Sequence, residues 1–228
     1  MAGDTDAARE WREAYERVSG LVATTQLRDP GALERAVPAT PDWRARDLVA
    51  HMIGVGSDTL RDAVDDDLGE EWTQRHVEAR RDRTVPELLE EWSELAPRIE
   101  EHVATTDPAP LGDVVIHEQD LRSALGTPGG RASGGLAMVR EQMADTFGEG
   151  LGERGPVRLE ATDEDWTWQS ADGDPAVVLR ASGFDLARAV TSRRTEEQLR
   201  SYVAAGDLGP FLDDFAGLGP LPTQALPE

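Results

Sequence analysis

The sequence predicts an α+β fold in two domains, a helical one of about 150 residues followed by a small mixed one. Apolar residues first recur at helical spacing, in stretches separated by Pro- and Gly-bearing loops. Near Val157 the pattern changes to the two-residue alternation of strands. At 228 residues the chain is long enough for two modest cores. A Gly-rich break sets the predicted boundary, giving domains 1–154 and 155–228.

Taken in order, Ala7, Trp11, Ala14, Tyr15, Val18, Leu21 and Val22 trace the face of a first helix from Asp6 to Thr25. A second opens at Pro41-Asp42-Trp43 with Asp42 as its N-cap and runs to Val64. Leu48, Met52, Val55 and Thr59 line its inner face, and His51 sits beside them. Residues 65–82, acidic and then Arg-rich, read as a connection with a short helix at best. Thr84-Val85-Pro86-Glu87 has the capping residue, early Pro and following Glu that start a third helix, extending to Val103. A fourth carries Asp113 to Leu125 and is stopped by Gly126-Thr127-Pro128-Gly129-Gly130, and a fifth covers Ser133 to Leu151. Strands are expected at 157–162, 165–169 and 176–181, then helices at 183–191, 195–203 and 208–216. Trp11, Trp43, Trp72 and Trp92 read as core or loop packing.

Charge excludes one large class of function. With 45 acidic against 23 basic residues the net charge is −22, which repels a phosphate backbone, so no nucleic-acid partner is expected. No apolar run approaches a membrane span and the first residues lack the basic and apolar regions of a signal peptide, so no membrane partner and a cytoplasmic location are expected. Lys and Asn, which share A-rich codons, are both absent, pointing to a GC-rich genome; the acid excess also suits a salty cytoplasm. Cys is absent too, so the chain has no thiol nucleophile, no Schiff-base amine and no P-loop lysine, and any sulfur chemistry must use a thiol from outside.

The most informative stretch is Asp113-Val114-Val115-Ile116-His117-Glu118-Gln119-Asp120. At about 100° per residue, His117 lies about 40° and Asp120 about −20° from Asp113 on a helix. These three share the apolar face with Leu121 and Ala124, while Glu118, Gln119 and Arg122 point the other way. A cation could compensate several such charges at once. An Asp and a His four residues apart can both reach a divalent ion, His51 on the second helix is the natural third ligand, and Asp120 could fix an imidazole tautomer. The alternative is a helix cap at Asp113, a hydrogen-bonded core His117 and an Arg-paired Asp120. Spacing alone favours this alternative, because Asp-x-x-x-His is a low-information pattern. His102 suits the end of its helix, and His76 falls in the connection among arginines without a carboxylate at ligand spacing. Arg75, Arg80, Arg81 and Arg83 form a basic island, either solvated and paired with adjacent acids or able to hold an anion.

Two motifs coincide: Trp43-Arg44-Ala45-Arg46-Asp47-Leu48-Val49-Ala50-His51, and Asp113-Val114-Val115-Ile116-His117 with Asp120-Leu121 and Ala124-Leu125-Gly126. Together they resemble the mycothiol-dependent maleylpyruvate isomerase family, within the DinB-like metal-binding bundles. Val177-Val178-Leu179-Arg180-Ala181-Ser182-Gly183 and the helix leading to Ser192-Arg193-Arg194 resemble that family's second domain. The resemblance implies an up-down-down-up four-helix bundle, then a small domain with a short, mainly antiparallel sheet. It implies Zn2+ or another divalent metal held by His51, Asp113 and His117, with mycothiol as thiol cosubstrate. The carboxylate ligand is often Glu in the family, whereas Asp113 reaches about one methylene less far. Arg80 falls where a substrate-anchoring Arg is expected, and Arg81 or Arg83 could substitute. No catalytic residue is implied beyond the metal-bound thiolate. The partners implied are a small thiol and an electrophile, in S-transfer or maleylpyruvate-type cis-trans isomerisation, with the chain a monomer or weak homodimer. The competing readings are a non-catalytic metal- or ligand-binding protein on the same scaffold and a purely structural bundle.

Overall fold

The computed structural model describes residues 2–65 and 69–228; Met1 and residues 66–68, part of the predicted connection, lie outside the described residues. The fold is α+β, with a helical N-terminal region and sheets of two and four strands. Two compact units are present, one running to Gly130 and including Pro227–Glu228, the other spanning Arg131–Leu226. The helix at 134–150, counted with the helical domain in the 1–154 reading, therefore packs in the second unit, where its apolar side covers the sheet.

In the first unit α1 (Ala2–Arg28) packs on α4 (Val85–Thr105) and α5 (Ala109–Leu125), and α2 (Ala45–Thr59) packs on the same two helices. Trp11, Val18, Leu48, Ile53, Leu88, Trp92, Ile99, Val115 and Leu121 fill the space between them. The start of α4 follows its sequence signal: the Thr84 hydroxyl accepts from the Glu87 amide, and the Glu87 carboxylate accepts from the Thr84 amide at 2.7 Å. The end of α5 does so too, at Gly126 in the left-handed region with φ 63°.

Two elements and one buried pair of the first unit differ from expectation. Residues Thr40–Arg44 form β2, paired antiparallel with β1 (Ala36–Val37), so α2 begins at Ala45 rather than at Trp43. Its N-cap is Arg44, not Asp42, because the Asp47 carboxylate takes the Arg44 amide at 3.0 Å and satisfies the helix start there. The predicted connection contains α3 (Glu70–Ala79), a full helix that packs on α2 and buries Trp72, His76 and Val77. Finally, Glu118 and Gln119 are buried although they lie opposite the Asp113 face. Glu118 accepts from Arg17 of α1 at 2.9 and 2.8 Å and from Arg122 at 3.0 Å, so a hydrogen-bonded ion cluster covers that side of α5.

The second unit holds a sheet ordered β4 (Thr167–Gln169), β3 (Val157–Ala161), β5 (Val177–Ala181), β6 (Val203–Gly206), with only the β3–β5 pair parallel. Strand β6 begins at Val203, the last residue of the helix expected at 195–203. That helix, α8 (Glu196–Ser201), stops early. Helices α6 (Gly134–Gly150) and α7 (Gly183–Val190) pack together, and Phe147, Leu159, Leu179, Leu186, Phe211 and Phe215 form the core. No helix among the described residues is long and apolar enough to cross a membrane.

Candidate metal centre

Helices α2 and α5 bring His51, Asp113 and His117 together, one potential ligand atom from each lying within 4.8 Å of the others. His51 Nε2 is 3.2 Å from Asp113 Oδ1 and His117 Nε2 is 3.5 Å from the same oxygen. Two donors about 2.05 Å from a tetrahedral zinc are separated by about 3.3 Å, so both spacings match edges of such a site. The group lies at the rim of the helical unit: His51 is buried, while 17 % of the Asp113 side chain and 13 % of the His117 side chain remain exposed. Behind Asp113 the cavity measures about 10 Å³, room for about one water. The open side of the group is therefore its exposed one.

The hydrogen bonds decide which imidazole nitrogens face inward. Asp120, fully buried one turn beyond His117, lies 3.2 Å from His117 Nδ1. A carboxylate oxygen only accepts, so His117 carries a proton on Nδ1, and in the neutral ring Nε2 presents a lone pair to Asp113. Two acceptors then face each other across 3.5 Å, an arrangement that a cation or an added proton between them relieves. The donor set and its convergence fit a divalent ion. Burial by itself would raise the pKa of Asp113, but His51, then His117 and His76, favour its charged form and leave it below the ordinary Asp value.

His76 belongs beside this group, not among solvated arginines. Its Nδ1 is 3.2 Å from His51 Nδ1 and its Nε2 is 3.1 Å from Asp58 Oδ2, which also accepts from Trp72 Nε1 at 2.9 Å. Burial holds the His76 pKa below the ordinary His value, partly offset by Asp58. Burial also pushes Asp58 upward, but the hydrogen bonds from His76, Arg61 and Trp72 prevail and its pKa is lowered. The Trp43 ring lies 4.9 Å from that of His51, and its Nε1 donates to Gln74 of α3 at 3.2 Å. Trp43 and the buried Trp72, whose ring lies 4.5 Å from that of His76, thus pack around the imidazoles.

The profile of the family described as mycothiol maleylpyruvate isomerase N-terminal domain matches residues 11–133, more than half of the chain. The chain belongs to this family. Neither a curated protein nor a solved structure matches. The matched segment of this mycothiol maleylpyruvate isomerase family member contains all of α2 and α5, and so His51, Asp113, His117 and Asp120.

The arginines singled out in the sequence are placed differently from those four residues. Arg80, at the end of α3, is nearly buried; its guanidinium holds Glu91 at 2.7 Å and donates to the His76 carbonyl at 3.3 Å. Arg81 is exposed and 3.7 Å from Glu78. Neither forms a hydrogen bond or ion pair with His51, Asp113 or His117 among the described residues. One signal could have exposed His76 and Asp58. His51, Gly54 and Asp58 fall along one face of α2 at intervals of three and four, a carboxylate and a small residue in line with the candidate ligand.

Proposed function

We propose that this family member is a metal-dependent enzyme using a low-molecular-weight thiol, mycothiol, on a DinB-like four-helix bundle built from α1, α2, α4 and α5. The observation that carries the proposal is the convergence of two imidazole Nε2 atoms and one carboxylate oxygen at a partly open rim. A zinc or other divalent ion held by His51, Asp113 and His117 would supply a Lewis acid that keeps an incoming thiol deprotonated at neutral pH. A chain without Cys has no such nucleophile of its own. Asp113 offsets part of the cation's charge, and Asp120 keeps His117 turned inward. The thiolate could add to an activated double bond, permit rotation and leave, which gives cis-trans isomerisation; if it instead attacks another electrophile and stays attached, with a proton from water taken up by the resulting carbanion or a leaving group departing with its electron pair, the reaction is S-transfer. A cationic anchor for the electrophile would be Arg80, released from Glu91, or Arg81, swung in from the surface.

The hold of Glu91 on Arg80 favours a second reading, a non-catalytic metal- or ligand-binding protein on the same scaffold. Elemental analysis of the full chain, purified without chelator, separates the possibilities. The proposal expects about one metal per chain, lost in His51→Ala and in His117→Ala, with thermal stabilisation by mycothiol and thiol-dependent turnover of an electrophile. Metal without any response to mycothiol would support the second reading, and absence of stoichiometric metal would defeat the proposal and the metal-binding form of the second reading.

A further inference from the structure

The proposed chemistry uses one nitrogen of each ligand imidazole and leaves a third buried imidazole, His76, without a role. Its hydrogen bonds have a direction that can be worked out from one end. Asp58 already accepts from Trp72 Nε1 at 2.9 Å and from Arg61 at 2.7 Å, so it faces His76 as a carboxylate acceptor at 3.1 Å. The proton on that side of His76 therefore sits on Nε2, and in the neutral ring Nδ1 is a lone pair. That lone pair faces His51 Nδ1 at 3.2 Å, which must then be the donor. With its proton on Nδ1, His51 presents a bare Nε2 to Asp113 and His117, as a metal ligand requires.

We propose that His76, anchored by Asp58, is a positioning residue that fixes the Nδ1–H tautomer of His51 and aims its Nε2 at the metal centre. This rests on the reading of His51 as a metal ligand. The two ligand imidazoles are then oriented from behind by different means: Asp120 holds His117 directly, whereas Asp58 acts on His51 through an intervening ring. The fold makes room for that ring at Gly54, where a Cβ would lie 2.2 Å from His76 Cγ, so only glycine lets α3 bring the imidazole so close to α2.

The test compares His76→Leu with His76→Gln in the full chain. A glutamine amide can accept from His51 at one end and donate to Asp58 at the other, whereas leucine can do neither. Zinc affinity, read by competition with a chelator, should fall by about 10- to 100-fold in His76→Leu and stay within about threefold of wild type in His76→Gln. The visible spectrum of the cobalt-substituted protein should change in the first variant only. Equal losses in both variants, or no loss in either, would overturn the proposal. Asp58→Ala keeps every imidazole and guards against a misfolded His76→Leu. Imidazole 15N–1H spectra of the metal-free protein should show His51 protonated on Nδ1 in wild type and a mixture of tautomers in Asp58→Ala. A neutral His51 whose single proton sits on Nε2 in the wild type overturns the proposal whether or not metal binds. The expected tautomer in a protein that never takes up zinc supports the positioning role and removes only the metal reading.

Discussion

Replacing Gly54 with alanine should weaken the fold and the centre together, against the usual sign for a glycine inside a helix. In isolation the change favours α2 by about 1 kcal/mol, the helix-propensity difference. The new Cβ, however, would sit 2.2, 2.4 and 2.5 Å from His76 Cγ, Cβ and Cδ2. Ordinary carbon contacts lie at about 3.5–4.0 Å, so the ring must withdraw by more than about 1 Å. Overpacking of this kind costs about 1–3 kcal/mol. Pulling the ring away also breaks its bonds to His51 and Asp58, each worth about 0.5–1.5 kcal/mol net. The expected net loss is about 1–5 kcal/mol. Gly20→Ala is the control, since it lies in α1 with nothing within 4 Å of the added carbon and should stabilise by about 0.5–1 kcal/mol. Urea unfolding followed by tryptophan fluorescence reads both. A Gly54→Ala protein as stable as wild type would refute the close approach of α3 to α2 and, with it, the placement of His76.

Three further outcomes test other parts of the fold. Thr84→Ala removes the hydroxyl that caps α4 and should cost about 1 kcal/mol in urea unfolding. Gly206→Ala should be much worse, by more than about 2 kcal/mol, because φ there is 82° and the Cβ would meet the rigid Ala176 carbonyl at 1.9 Å; near-normal stability would contradict the β5–β6 register. Asp185 should show a defined acid dependence. Burial would raise its pKa, but Ser182, Arg194 and Tyr202 favour the carboxylate and the net effect is a lowered value. A carboxylate depressed in the folded state contributes stability above its unfolded pKa, about 3.9, and loses it as pH falls through the lower folded value. The stability gap between wild type and Asp185→Asn should therefore be full above about pH 5 and shrink toward acid; a gap that widens on acidification would contradict that sign.

How much of this was legible in the sequence depended on whether the signal was local. The Thr84 capping box, the Gly126 stop and the period-two strands are written in consecutive residues, and the structure has them in place. The start of α2 was misplaced because two capping solutions compete within five residues. Asp42 has the right side chain, but Pro41 and Trp43 are drawn into a strand pair with Ala36–Val37, and Asp47 then accepts the Arg44 amide at the later helix start. Helix α3 was hidden by its polar composition: only Trp72, His76 and Val77 turn inward, too few to raise an apolar period above its charged neighbours. The burial of Glu118 was hidden for a related reason. Its partners are Arg17, a hundred residues earlier, and Arg122, and an ion cluster leaves no apolar trace.

The candidate site divides along the same line. Asp113, His117 and Asp120 share one helix, so their mutual geometry follows from helical spacing alone, and His117 meets both carboxylates as that spacing requires. His51 is the natural third ligand because it sits beside the inner face of the second helix, but nothing in α2 states which side of α5 it will face, and the resemblance adds that link. The Asp58–His76 pair behind it depends on a third helix and on the absence of one methyl group at Gly54, a condition visible only once backbones are packed. An imidazole ligand needs a partner on its far nitrogen as much as a metal on its near one. The informative question to ask of a histidine in such a sequence is therefore which acceptor, direct or relayed, fixes the proton that the metal must not meet.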